Sequence, residues 1–98
     1  MAPQISSVSP NCVVLASPEQ ISCQIGDEAV LLSTRDGQYY GLNEVGACIW
    51  RLIQKPRSVV EISEAVLSEY SGIERAECEQ QVISFVTELA RLNLLDLV

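Results

Sequence analysis

The side chains that most often carry out chemistry in proteins are either missing from this sequence or widely spaced. The chain has no histidine, which removes the commonest general base and the commonest metal ligand. The four cysteines are Cys12, Cys23, Cys48 and Cys78. No two of them have the C-x-x-C spacing of a zinc or redox site, and the scattered glycines form no phosphate-binding loop. We therefore expect no catalytic residue, no metal site and no cofactor, and we predict that the protein is not an enzyme.

Length, composition and charge exclude several classes of protein. With 98 residues, of which 48% are hydrophobic and 19% charged, the chain is expected to fold as one globular domain. Thirteen acidic residues against six basic ones give a net charge of −7, which repels phosphate backbones and argues against binding to nucleic acid. No apolar run approaches the ~18 residues that span a membrane, and the N-terminus lacks the pattern of a signal peptide. We expect a cytoplasmic protein with reduced cysteines and no membrane contact.

Residues 1–18 differ in composition from the rest of the chain. They contain three prolines and four serines, which predicts a poorly ordered N-terminal segment ahead of a folded domain at residues 19–98. The apolar run from Cys12 to Ala16 interrupts this pattern. For that run, pairing or docking against the domain stays open as an alternative.

Three strands are predicted after this segment. Apolar residues alternate with polar ones from Ile21 to Ile25, an apolar run occupies residues 29–32, and a third strand is expected at residues 38–42. The dipeptide Gly26-Asp27 predicts a type II′ turn, and Asp36-Gly37 predicts a type I′ turn. Two successive hairpins give the antiparallel order 1-2-3, in which the first and third strands are edges.

Three helices are predicted downstream of the strands. Asn43 is a favourable N-cap for the first helix, and Ser58 begins a capping box for a second helix that runs to about Tyr70. Gly46 inside the first helix costs about 1 kcal/mol relative to alanine, so we expect the close approach of another backbone there. The third helix starts near Glu74, and its apolar surface is wider than one core contact requires. That surface either covers a second layer of core or forms the wall of a groove.

This order of elements predicts an α+β fold like a winged helix-turn-helix, with a three-stranded antiparallel sheet followed by a three-helix bundle. A nucleic-acid-binding winged helix, such as a transcription regulator, is one function of such a fold, but the third helix has only Arg75 and Arg91 against four glutamates. A peptide-binding module is the other. The third strand is an edge without proline or lysine, which either accepts an added peptide strand or is covered by a loop or the N-terminal segment.

The stretch from Asp36 to Gly46, followed by Ile49-Trp50, resembles the PqqD-like proteins, and the resemblance extends over about residues 20–97. It implies a precursor-peptide recognition element, which binds the leader segment of a ribosomally synthesised peptide and presents it to a maturation enzyme. The leader joins the sheet as a further strand along the third strand and packs against the third helix. A protein of this kind performs no chemistry itself, and its contribution is a raised effective concentration of substrate at the enzyme.

The resemblance also implies which residues contact the peptide. The third strand provides Gln38, Tyr39, Tyr40, Gly41 and Leu42, and the third helix provides Val82, Ile83, Phe85, Val86 and Leu89. We expect Val82, Phe85 and Leu89 to point mostly into the core, and Ile83 and Val86 to lie nearer the groove. The family often ends its last helix with glycine, whereas this chain has Asn93, which tolerates the same left-handed conformation.

Two biosynthetic settings fit this family. A lasso peptide pathway, with a leader peptidase and cyclase as partners, is favoured because it commonly uses a discrete small protein of this type. A pathway with a radical-SAM enzyme is the alternative. We expect a monomer, or a strand-swapped dimer formed through the open sheet edge.

Overall fold

The structure is a computed structural model that describes residues 11–18 and 20–98. The predicted meander is present as β2 (Gln20–Ile25), β3 (Glu28–Ser33) and β4 (Tyr39–Leu42), which form an antiparallel sheet in the order β2-β3-β4. The predicted third strand is β4, and both β2 and β4 are edges of this sheet. Three helices follow, so the α+β fold class is confirmed.

The two hairpin turns differ in how well their sequences predict them. Ile25 and Glu28 pair directly, and Gly26 has a φ of 61° while Asp27 keeps a negative one, as a type II′ turn requires. The predicted type I′ turn at Asp36-Gly37 is wrong, because only Gly37 has a positive φ, of 72°.

The second hairpin has a four-residue loop at 34–37. The Ser33 N–H donates to the Gln38 carbonyl oxygen at 2.9 Å, and the Gly37 N–H donates to the Ser33 carbonyl oxygen at 2.9 Å. The Asp36 carboxylate accepts a hydrogen bond from the Gln38 N–H at 3.0 Å. That bond occupies the backbone donor that would close a shorter hairpin, so the side chain of Asp36 selects the longer loop.

The helices are α1 (Glu44–Leu52), α2 (Val59–Glu69) and α3 (Arg75–Arg91). The Asn43 side chain caps α1 by accepting from the Gly46 N–H at 2.9 Å. The predicted capping box of α2 is present, because Ser58 Oγ accepts from the Glu61 N–H at 3.1 Å and Glu61 Oε1 accepts from the Ser58 N–H at 2.8 Å. The hydrogen bond from the Ser58 backbone holds the pKa of the Glu61 carboxyl below its usual range.

The end of α3 confirms the expectation for Asn93. Its φ is 60°, the left-handed conformation that glycine most often adopts at this position. The Leu94 N–H donates to the Leu89 carbonyl oxygen at 2.8 Å, and the Asn93 N–H donates to the Ala90 carbonyl oxygen at 3.1 Å. These two bonds form a Schellman motif and direct the chain into the strand at Leu95–Leu97.

A second antiparallel sheet was not predicted. It consists of β1 (Val13–Ala16), β5 (Arg57–Ser58) and β6 (Leu95–Leu97) in the order β5-β1-β6. The pairing alternative for the run from Cys12 to Ala16 is therefore what the structure shows. The strand at Val13–Ala16 departs from the expectation that residues 1–18 are poorly ordered. Residues 1–10 of that segment lie outside the described part of the chain.

The core lies between the helices and one face of the β2-β3-β4 sheet. Its largest fully buried side chains include Leu31 from β3, Ile53 after α1, Ile62 from α2 and Leu94 after α3. The alternation in β2 predicts the strand correctly, but its apolar residues point to the opposite face, where Ile21 is 59% exposed. In the described part of the chain, no helix combines the length and apolar character needed to cross a membrane.

Candidate functional site

The outer edge of β4 has free main-chain hydrogen-bonding groups. Because the Gln38 carbonyl oxygen accepts from β3, the alternation of an antiparallel pair directs the main-chain groups of Tyr40 and Leu42 toward β3 as well. The N–H and C=O groups of Tyr39 and Gly41 then point away from β3. Within residues 11–18 and 20–98, no strand pairs with this side of β4. The edge therefore offers two donors and two acceptors in the spacing of a strand.

The side chains of β4 are arranged so that an added strand has room. Leu42 is buried, and Tyr40 is half-buried against the core. Tyr39 is 72% exposed on the opposite face. Gly41 has nothing within 4 Å of the position that a Cβ would take, so the centre of the edge is open. Gln38 precedes β4 and is held by Asp36 in the loop.

A cavity of about 220 Å³ lies where β4 passes into α1 and faces α3. Small-molecule sites are typically about 300–1,000 Å³, so this cavity suits a side chain better than a cofactor. Most of its lining is apolar, and the amides of Asn43 and Gln81 add polar groups. Its apolar lining consists of Val45, Gly46, Ile49, Val66, Cys78, Val82 and Phe85.

Gly46 allows α3 to approach the start of α1. A Cβ built at Gly46 would lie 3.3 Å from two atoms of the Phe85 ring and 3.3 Å from the Asn43 Oδ1. A close neighbour was expected at this glycine, but it is an aromatic side chain and a capping amide rather than another backbone. The Phe85 ring is thereby held at the wall of the cavity.

The expected division of α3 into core and groove residues is partly wrong. Val82, at 1% exposed, and Leu89, at 3%, are core as expected, but Val86, at 0%, is also core. Phe85 is only half-buried and lines the cavity, so Phe85 and Val86 exchange their expected places. Ile83 is half-buried and does not line the cavity. The reason is rotation of 100° per residue, which places Ile83 on the side of α3 away from the cavity wall.

Seven cavity residues were not among those expected to contact a peptide: Asn43, Val45, Gly46, Ile49, Val66, Cys78 and Gln81. Asn43 and Gly46 fall within the stretch that carries the family resemblance, which was a usable signal. Gln81 precedes Phe85 by one helical turn, and its amide bonds the Glu77 carboxylate at 3.4 Å. Nothing in the local sequence distinguishes Gln81 from the other polar residues of α3.

The buried thiols of the chain are protonated groups within the core. Burial raises the pKa of Cys48 and of Cys78, and the Cys78 Sγ donates to the Ser63 carbonyl oxygen at 3.7 Å. Across the described residues, no cluster of three or more cysteine, aspartate or glutamate side chains is arranged to hold a metal ion. The interactions that the β4 edge and the cavity can provide are main-chain hydrogen bonds, apolar contact and polar contact with the amides of Asn43 and Gln81.

Comparison with known proteins gives one family and two solved structures. Residues 28–95 match the family described as coenzyme PQQ synthesis protein D (PqqD). The structure of TbiB1 in complex with the TbiA(beta) leader peptide is 36% identical in sequence, with a TM-score of 0.77 over 84% of this chain and 94% of that one. A lasso peptide synthetase B1 complexed with the leader peptide is 28% identical, with a TM-score of 0.74 over 85% of this chain and 96% of that one. No curated protein gives a significant match.

Proposed function

The chain belongs to the PqqD family, and from this membership we propose that it binds the leader segment of a ribosomally synthesised precursor peptide. The observation that carries the proposal is the open edge of β4, which ends at Leu42, one residue before Asn43 in the lining of the cavity beside α3. The family match over residues 28–95 includes both features, and both similar structures contain a leader peptide.

In the proposed complex the leader forms a fourth strand beside β4. Its main chain exchanges hydrogen bonds with Tyr39 and Gly41, each worth about 0.5–1.5 kcal/mol net. One apolar leader side chain enters the cavity against Phe85, and full burial of such a side chain contributes about 1.5–3 kcal/mol. The cavity contact thus matches about two ladder bonds in strength. It also supplies the specificity, because main-chain bonds are the same for almost every leader sequence.

The ten residues expected to form the site divide into contacts and support in this proposal. Tyr39 and Gly41 provide main-chain groups, and Phe85 with Val82 forms the cavity wall. The others hold these groups in place from the core or from the flanks: Gln38, Tyr40, Leu42, Ile83, Val86 and Leu89.

The bound leader is then delivered to a maturation enzyme. One of the two similar structures is a lasso peptide synthetase B1, which favours a lasso peptide pathway with a leader peptidase and cyclase as partners over a radical-SAM pathway. The protein catalyses no step in this scheme and acts by raising the effective concentration of the precursor at the enzyme. Four free cysteines are in keeping with a cytoplasmic location.

The test of strand addition is proline at Tyr39. The probe is a synthetic peptide with the leader sequence of the precursor encoded beside this gene, and its affinity is measured by fluorescence anisotropy. Tyr39→Pro removes an N–H that points away from β3, so the fold is retained while a peptide strand loses a hydrogen bond and meets the proline ring. We expect at least tenfold weaker binding.

Tyr39→Val is the matched control. It removes the same aromatic ring but keeps the N–H and a high strand propensity, so its affinity should stay within threefold of the wild type. Gly41→Pro repeats the test at the second outward donor. Wild-type affinity in both proline variants, with helix amide spectra unchanged, would refute strand addition to β4.

A further inference from the structure

The outer face of the β2-β3-β4 sheet is apolar although it faces solvent. Ile21 is 59% exposed, Ile25 61% and Tyr39 72%, and the half-buried Val30 and Leu32 lie between them. Ile21 pairs with Leu32 and Leu32 pairs with Tyr39, so one apolar row crosses all three strands. In the strands of this face, the charged residue is Glu28, at one end.

In β2 this arrangement reverses the usual polarity of a sheet that packs against helices, whereas β3 and β4 bury Leu31 and Leu42 on the helix side as usual. Such a sheet normally has apolar residues toward the core and polar ones toward water. Here β2 turns Gln20, Ser22 and Gln24 toward the helix side and its isoleucines toward solvent. A contiguous apolar patch of this kind marks an interaction surface.

The apolar face is continuous with the edge where the leader is proposed to bind. Residues that pair directly across an antiparallel ladder point to the same side of the sheet. Leader residues opposite Tyr39 and Gly41 therefore place their side chains on this face, as a fourth strand beside the apolar rows. The face and the leader then form a single surface, on the opposite side of the sheet from α1 and the core.

The area of this face decides what kind of partner it fits. Five residues of a strand cover roughly 80 Å² of a sheet face in projection, so three strands cover about 240 Å². Even twice that area, to allow for side-chain relief, is below the about 800 Å² that each partner buries in a stable interface. A leader strand enlarges the surface by about a third, to about 640 Å² with the same allowance, which enters the range of about 600–1,000 Å² per partner found in stable interfaces. A partner that needs both parts binds the loaded protein in preference to the free one.

Resting on the proposed function, we propose that this outer face is the docking surface for the maturation enzyme, which contacts the sheet and the leader strand together. The enzyme presents an apolar patch to Ile21, Ile25 and Tyr39. Basic groups at the rim of that patch suit Glu28 and the net charge of −7. The enzyme therefore binds the protein that carries a leader more tightly than the free protein.

The test is the double variant Ile21→Asp/Ile25→Asp. Both side chains are more than half exposed, so the fold tolerates the change. The control is Val60→Asp, which places one aspartate, half the added charge of the double variant, at a 40% exposed apolar residue in the first turn of α2. The probes are the synthetic leader peptide and the maturation enzyme encoded beside this gene. Leader affinity is measured by anisotropy, and enzyme affinity is measured on immobilised protein with and without leader.

We expect leader affinity within threefold of the wild type for both variants. Enzyme affinity for the loaded protein should fall at least tenfold in the double variant and stay unchanged in Val60→Asp. Equal enzyme binding by the double variant would overturn the inference and leave the proposed function intact. Loss of leader binding by the double variant, with an unchanged unfolding temperature, would assign the face to the leader site and also overturn it.

Two further outcomes are distinguishable. If the wild type itself binds no leader, the proposed function fails, and the inference that rests on it fails too. If the wild type sediments as a dimer that the double variant abolishes, the face is an interface between two copies, and the enzyme-docking inference is overturned.

Discussion

Phe85 and Val86 are neighbours in α3 with different roles. Val86 is fully buried, so an aspartate there would be an unpaired charge inside the core, and Val86→Asp should abolish cooperative unfolding. Phe85→Ala removes a half-buried ring from the cavity wall and should leave a folded protein. We expect the variant to bind the leader about tenfold more weakly, which corresponds to about 1.4 kcal/mol. Thermal unfolding and anisotropy together check both expectations, and a folded Val86→Asp with weak leader binding would place Val86 in the groove instead.

This pair also shows the limit of sequence patterns at the scale of single residues. Helical periodicity identifies the apolar stripe of α3 and places Val82 and Leu89 inside it correctly. It does not decide between Phe85 and Val86, which flank the centre of the stripe. The decision comes from α1, because the missing side chain at Gly46 leaves space there for the ring of Phe85.

At the scale of elements, the N-cap of α2 is a local interaction whose contribution to stability can be measured. Ser58→Ala removes the oxygen that accepts from the Glu61 N–H, and loss of such a cap costs about 1 kcal/mol. For a domain of this size the unfolding temperature should fall by about 4–8 °C. Ser68→Ala, at an exposed position in the same helix, is the control and should leave the temperature unchanged or slightly raised. An equal effect of the two substitutions would contradict the capping role.

The elements that could be predicted are those whose determinants are local. The caps at Asn43 and Ser58 and the glycine-first turn after Ile25 are carried by a few adjacent residues, and all are confirmed. The β5-β1-β6 sheet is different, because β5 has two residues and β6 has three, too few to show a strand period. Its pairing depends on segments that lie far apart in sequence.

At the scale of the whole molecule, charge separates the two functions that the fold allows. A net charge of −7 repels a phosphate backbone most strongly at low ionic strength. Amide NMR spectra of labelled protein in low salt should therefore show no shifts with a short duplex DNA. The leader peptide should shift residues 39–42 and the residues that line the cavity. Shifts with DNA but none with the leader would favour the nucleic-acid-binding alternative.

The order and the type of the elements could be predicted from the sequence, because hairpin and cap signals follow one another along the chain. The sequence did not predict which face of β2 points toward the helices. Its alternation has the same period whichever face is buried, and the structure turns the polar side inward. Only the position of the sheet relative to the helices determines which side of β2 meets the core.

The pairing of β1 with β6 sets how the protein responds to a pulling force. Val13 accepts a hydrogen bond from the Val98 N–H at 2.9 Å, and the register proceeds inward from Val14 opposite Leu97 to Ala16 opposite Leu95. Tension applied between residues 13 and 98 therefore loads the ladder at its outermost bond and then at each next bond in turn. Such a ladder unzips at low force instead of shearing as a unit. A motor that draws on β6 would therefore peel it from β1 first, and the pairing of β4 in the other sheet lies outside that path.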